Sequence, residues 1–265
     1  AEAATTSMRY KIETKNQSYT AGTSWGGGTD LYTNLISVFE FDNNATDIKS
    51  NNTLTASGSP TFETSEKKLG THSVLFNAST ELFSWTTTPS WGTIPAAGLS
   101  CSVWVYWHGT GTPTYQMIFD GYGDGNNRSF NLAIEDHNGD KPSIFTEDSS
   151  YWVTGSAAVT KNTWNHLVYH FSTTKKKIWL NGTNILDSTG TYVLGSANAH
   201  NRIGGRQGNT QSYTGYLDQM VWWNGALSDA QVTALYNGGD GRVYVGDVPT
   251  SGKITRIHGT SLAWS

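Results

Sequence analysis

The sequence is short of charge, cysteine, proline and long apolar runs, and each shortage removes a class of protein. Charged residues are 14% of the 265 and the net charge is −4, too little for a chain held unfolded by self-repulsion. Lys and Arg number 17 and are scattered, with no basic run longer than Lys175-Lys176-Lys177, so a phosphate-tracking nucleic-acid binder is not expected. The single cysteine, Cys101, excludes an intrachain disulfide framework. It sits in an alternating stretch with no local histidine or helix start to activate it, and reads as a small buried hydrophobe. No apolar run reaches the length of a membrane-spanning helix. Residues 1–34 hold no hydrophobic leader stretch; a leader already removed leaves no trace, so secretion stays open.

What is present is aromatic and small. Trp, Tyr and Phe make up 12%, including 11 Trp and 13 Tyr, enough to fill a large core. Gly, Ser, Thr and Asn supply much of the rest, the residues of short strands joined by many turns. Strands are expected at 35–41, 73–76, 102–107, 117–119, 130–134, 166–171, 177–180 and 216–223, with a hairpin corner at Asn181-Gly182. One helix is expected, over about 228–236. Ser228 and Gln231 form a capping box, Val232, Leu235 and Tyr236 its apolar face, and Asn237-Gly238-Gly239 its stop. Further strand candidates lie at 8–12, 242–245 and 253–257. The organisation reads as an N-terminal arm over 1–34, a domain over 35–240 and a tail over 241–265.

Five blocks occur in the order of a known family. They are Val38-Phe39-Glu40-Phe41-Asp42, then residues 68–77 with their Lys-Leu-Gly opening and Phe76-Asn77 close, then Leu99 to Trp107. Asn162 to Leu167 with the Lys177–Gly182 hairpin follows, and Arg202-Ile203-Gly204-Gly205, Gly215 to Asp218 and Ala226 to Tyr236 close the series. This sequence resembles the laminin-G-like jelly roll of the concanavalin A-like lectin/glucanase superfamily over about 200 residues. The resemblance implies an all-β, two-sheet antiparallel jelly-roll sandwich with one sheet concave and one short C-terminal helix. Fold alone does not give function.

Glycosidases and lyases occur on that fold, and retaining glycoside hydrolysis needs two carboxylates about 5 Å apart. The laminarinase-like members carry Glu–x–Asp–x–Glu on one strand. The one Glu–x–Asp here, Glu40-Phe41-Asp42, lacks the third carboxylate, and catalysis is not expected. His166 and His170 fall on one face of a strand about 13 Å apart, too far for one ion; His166 matches a structural histidine of the family. Calcium is the better metal expectation, on the Asp/Asn/Gly loop with Asp120, Asp124 and Asn126 as oxygen donors. Trp104, Trp164 and Trp179 match family core positions. Trp85, Trp91, Tyr122, Tyr151, Trp152 and Tyr213, in loops or at strand ends, are the carbohydrate-binding candidates.

The segments Leu235 to Arg242 and Lys253 to Ala263 resemble strand tails of phage and marine viral structural proteins, and extended arms can add strands to neighbouring subunits. The expectation from this is a non-enzymatic structural, decoration or fibre-type protein of a virion or surface assembly, also binding host glycans. Its partners are then other structural subunits, met through 1–34 and 243–265 in an oligomer or assembly, and it lies in a virion or at a cell surface. The alternative is a secreted or cell-surface lectin-like carbohydrate-binding module, and a polysaccharide-degrading enzyme is a remote third.

Overall fold

Alternation of apolar and polar residues, the signature of strands with one face buried, is carried through to the structure. The computed structural model describes residues 30–49, 54–85, 95–109, 115–122, 128–147, 152–194, 200–206 and 211–244. In chain order its strands are β1 (Leu35–Phe39), β2 (Thr55–Ser57), β3 (Thr61–Glu63), β4 (Ser73–Phe76), β5 (Leu82–Trp85), β6 (Leu99–Trp107), β7 (Tyr115–Tyr122) and β8 (Arg128–Glu135). There follow β9 (Lys141–Thr146), β10 (Val153–Thr154), β11 (Trp164–Phe171), β12 (Lys175–Leu180), β13 (Thr183–Thr189), β14 (His200–Ile203), β15 (Gly215–Asn224) and one helix, α1 (Asp229–Tyr236).

They make two antiparallel sheets. One has eight strands, in the order β13-β12-β11-β6-β15-β4-β3, with β1 also pairing to β15; the other has seven, β10-β9-β8-β7-β14-β5-β2. One edge of β15 is shared, β4 taking Gly215 to Leu217 and β1 taking Met220 to Trp223. The protein is thus a two-sheet jelly-roll sandwich. Its core lies between the sheets, where Leu99, Val103, Val105 and Trp107 of β6 meet Phe130, Leu132 and Ile134 of β8. Phe130 packs close against Phe171, with ring centroids 4.3 Å apart and the rings tilted by 33°.

A second apolar cluster covers the middle of the eight-stranded sheet's outer face. Val168, Trp179, Val221 and Trp223 pack there under Val232 and Leu235 of α1, with Leu31 and Tyr244. The Trp223 indole donates to the Leu31 carbonyl at 2.8 Å, and Trp179 to Asp229 at the helix start at 2.9 Å. The capping box is formed as read, the Ser228 hydroxyl accepting from the Gln231 amide. Residues 30–34 therefore pack on the domain, while 1–29 and the tail from 245 lie outside the described residues.

Local turn chemistry explains the tightest corners. Asn181 and Gly182 have φ of 50° and 78°, the paired positive values of a two-residue hairpin turn. Gly215 opens β15 at φ 138°, where a Cβ would stand 2.1 Å from the Tyr106 carbonyl oxygen; only glycine fits. The strand expected at 242–245 does not form over its described part. Residues 242–244 are irregular, because the Arg242 guanidinium donates back to the Ala234 carbonyl and turns the chain onto α1.

Candidate functional site

The outer face of the seven-stranded sheet carries a row of polar and aromatic residues in register. Register places Phe145, Asn131, Asp120, Arg202 and Ser84 side by side across β9, β8, β7, β14 and β5. Asp120 is fully buried. Its carboxylate accepts from the Arg202 guanidinium at 3.3 Å and from the Asn131 amide. Burial raises its pKa above the ordinary carboxylate value, while Arg202 and Arg206 pull it back down. The Arg202 side chain is itself only 11% exposed, so the pair forms a fixed polar floor.

An aromatic bridge stands beside this row. Tyr115 opens β7 and Trp152 precedes β10, so β8 and β9 separate them, a span of about 14 Å. Their rings nevertheless lie 4.5 Å apart at 19°, so both side chains lean across the face and meet above it. Phe145 adds a third ring, 5.6 Å from Trp152, and His137 meets the edge of Tyr115 at 5.1 Å. Below, register sets Ala133 of β8 beside Ser143 of β9, both fully buried. The Ser143 hydroxyl finds no hydrogen-bond partner among the described residues.

At the end of the face Glu135 accepts from Thr154 at 2.7 Å and from Asn138 at 3.1 Å. Glu135 lies four residues beyond Asn131, the neighbour of Asp120. That puts the two carboxyl-bearing positions about 13 Å apart along the strands, beyond the roughly 5–9.5 Å of a glycosidase pair. What the arrangement offers is a ring face for sugar C–H groups and fixed donors and acceptors for hydroxyls.

Of the sequence candidates, only Trp152 is placed in this cluster by the described side chains. Tyr213 is corrected. It is fully buried, edge-on to Phe76 at 6.4 Å, and its hydroxyl donates to the Tyr216 carbonyl, so it is a core residue. Trp85 lies on β5 opposite Asn201 and Tyr122 on β7 opposite His200. Trp91, Tyr151, Asp124 and Asn126 lie outside the described residues. Asp120 is corrected as a calcium ligand, since a guanidinium stands where a cation would and both its oxygens have donors. Among the described residues no three His, Cys, Asp or Glu side chains converge as a metal site. Tyr115 and Phe145 were missed. Both reach Trp152 through tertiary contacts, which no local pattern reports.

The two histidines face away from this site. On the outer face of the eight-stranded sheet, buried His166 shares a 2.8 Å hydrogen bond with Ser102, and buried His170 sits 3.1 Å from Ser100. Desolvation lowers both, His166 to about 3 with help from the nearby Lys68 charge, and His170 to about 4. Asp42 accepts from the Thr71 and His72 amides at 2.6 and 2.9 Å, the arrangement of a turn carboxylate.

A family profile described as the concanavalin A-like lectin/glucanases superfamily, Laminin_G_3, matches residues 80–233. No curated protein matches by sequence. Solved structures do. Domain 4 of AbnA, a GH43 extracellular arabinanase from Geobacillus stearothermophilus, in complex with arabinotriose, aligns at 21% identity and TM-score 0.60, over 75% of this chain and 96% of that one. Trypanosoma rangeli sialidase in complex with sialic acid aligns at 13% identity and TM-score 0.60, over 81% of this chain and 34% of its own. The receptor binding domain of a botulinum neurotoxin C/D mosaic serotype aligns at 14% and TM-score 0.60, over 78% of this chain and 51% of its own. The chain thus spans about a third of the sialidase and about half of the toxin domain structure. At these identities the likeness shows fold. The expectation of a virion structural component is overturned, because the similarity runs to parts of glycan-processing enzymes and of a toxin.

Proposed function

The chain belongs to the concanavalin A-like lectin/glucanases superfamily, and from that premise we propose that it is a non-catalytic carbohydrate-binding module. The glycan lies on the outer face of the seven-stranded sheet. The observation that carries this reading is the Trp152–Tyr115 bridge beside the buried Asp120–Arg202–Asn131 row. Sugar recognition needs that combination, an aromatic platform for the apolar face of the ring and a few fixed polar groups for orientation. The wide separation of Asp120 and Glu135 favours binding over cleavage. The arabinanase domain, whose structure holds arabinotriose, is matched over 96% of its own length and lends support from outside the molecule.

The test is titration calorimetry against linear arabino-oligosaccharides and a panel of neutral and acidic glycans, with wild type and Trp152→Ala. Wild type is expected to bind at least one glycan, and the variant to bind it several-fold to about tenfold more weakly, one aromatic stack being worth about 0.5–1.5 kcal/mol. Its melting temperature should change little, because Trp152 is only half-buried. Unaltered binding by Trp152→Ala overturns the site. Release of new reducing ends from the bound glycan by wild type overturns the non-catalytic reading.

A further inference from the structure

Helix α1 covers only the middle of the eight-stranded sheet's outer face. One row beyond it, Trp164, Tyr106 and Tyr216 stand directly opposite one another on β11, β6 and β15. All three are half-buried, unlike Trp104 and His166 in the covered row before them. Tyr106 meets Trp164 and Tyr216 edge-on, each at 5.6 Å, with interplanar angles of 68° and 88°. His108 stands 5.8 Å from Tyr106 at 89° and 5.5 Å from Tyr216 at 84°. Tyr106, Tyr216 and His108 are therefore mutually perpendicular, like three faces meeting at the corner of a box.

Acidic groups border the corner. The Glu66 carboxylate accepts from the Trp164 indole at 2.7 Å. The Tyr216 phenol is held above its ordinary value by burial and then by the fields of Glu63 and Glu66. A flat sugar ring wants one broad ring face, which perpendicular rings do not provide. A small rounded cation is held by several faces or edges at once, and by a carboxylate nearby. The same face already binds a cation one row away, where the Lys68 ammonium sits 4.6 Å from the centre of the Trp104 ring. The ammonium groups of Lys161, Lys176 and Lys177 sit over Trp107, Tyr192 and Trp179, so among the described residues the lysine–ring contacts leave this corner to an outside cation.

We infer that the corner formed by Tyr106, His108, Trp164 and Tyr216, bordered by Glu63 and Glu66, is a binding site for an organic ammonium group. It lies on the sheet opposite the glycan face and does not depend on that reading. The probe is choline, with 3,3-dimethylbutan-1-ol as a neutral molecule of the same shape, titrated at constant ionic strength and followed at the Trp164 indole N–H resonance by NMR. Choline is expected to shift that resonance saturably, with the neutral alcohol at least about fivefold weaker, as loss of a partly desolvated cation–ring attraction implies. Glu66→Gln, a near-isosteric change, should weaken choline several-fold, and Trp152→Ala should leave it unchanged. Equal response to choline and the alcohol overturns the inference, as does unaltered choline binding in Glu66→Gln. Loss of choline binding in Trp152→Ala overturns it too, by placing the cation on the other sheet.

Discussion

His166 makes the stability of this fold depend on pH in a direction that can be worked out. Its ring is buried against Trp104, 4.8 Å away, and Tyr236, 6.1 Å away, with the Lys68 charge nearby. Protonation is therefore suppressed in the folded chain to about pH 3, against 6.5 when exposed. Between those values the unfolded chain binds a proton that the folded chain refuses. The contribution is fully present above pH 6.5 and is lost as pH falls toward 3. At pH 5 the unfolded state has gained about 1.5 pH units of protonation, or about 2 kcal/mol.

The whole-protein profile does not isolate this effect. His170, lowered to about 4, acts in the same direction. Asp218 acts oppositely: buried, and raised to about 8 despite the Lys68 and Leu69 amides that donate to it, it is relieved as pH falls below 8. From pH 7.5 to 5 that relief comes to about 3 kcal/mol. The discriminating measurement is a difference. His166→Gln keeps a side chain able to hydrogen-bond Ser102 and removes the titration. Urea unfolding of both proteins at pH 7.5 and pH 5 should show wild type losing about 2 kcal/mol relative to the variant. A gap between the two proteins that stays constant across that range refutes the argument.

Two further predictions concern the fold itself. Tyr213→Ala should cost about 3–5 kcal/mol in urea unfolding, the range for emptying a buried aromatic site, and a surface-like loss below about 1 kcal/mol would return Tyr213 to the ligand-binding candidates. Ser228→Ala should cost about 1 kcal/mol through the lost helix cap, and no measurable loss would mean that tertiary packing alone holds α1.

Where local chemistry dictates structure, the sequence was readable. Asn181-Gly182 has few alternatives to a tight hairpin, and Ser228 with Gln231 starts a helix wherever an apolar stripe follows. The long strands β6, β11 and β15 declared themselves because each carries eight or more residues rich in aromatic and β-branched side chains. The two- and three-residue strands β2, β3 and β10 are too short to show a period; they exist because a neighbouring strand offers an edge. Tyr213 was misread for a related reason. Its burial comes from Phe76, a contact distant in the chain that no local pattern reports. Trp152 was legible as a half-exposed aromatic, but its partner Tyr115 was not, since their stacking depends on two strands that lie between them.

The two outer faces carry the functional argument between them. A sandwich must do something with each outer face, and here the sequence treats them differently. On the eight-stranded sheet Val168, Val221 and Trp223 lie under the chain's own helix, and the buried polar groups beside them are histidines paired with serine hydroxyls. On the seven-stranded sheet Asp120, Asn131 and Ser143 are just as buried, and there the polar row includes a carboxylate held by a guanidinium. Burying an ion pair such as Asp120–Arg202 gives little net stability, and apolar residues of similar size serve a fold at least as well. A row of this kind is better accounted for by what it orients than by what it stabilises. With the Trp152–Tyr115 bridge standing over the neighbouring strands, the row agrees with the proposed glycan lying across this face.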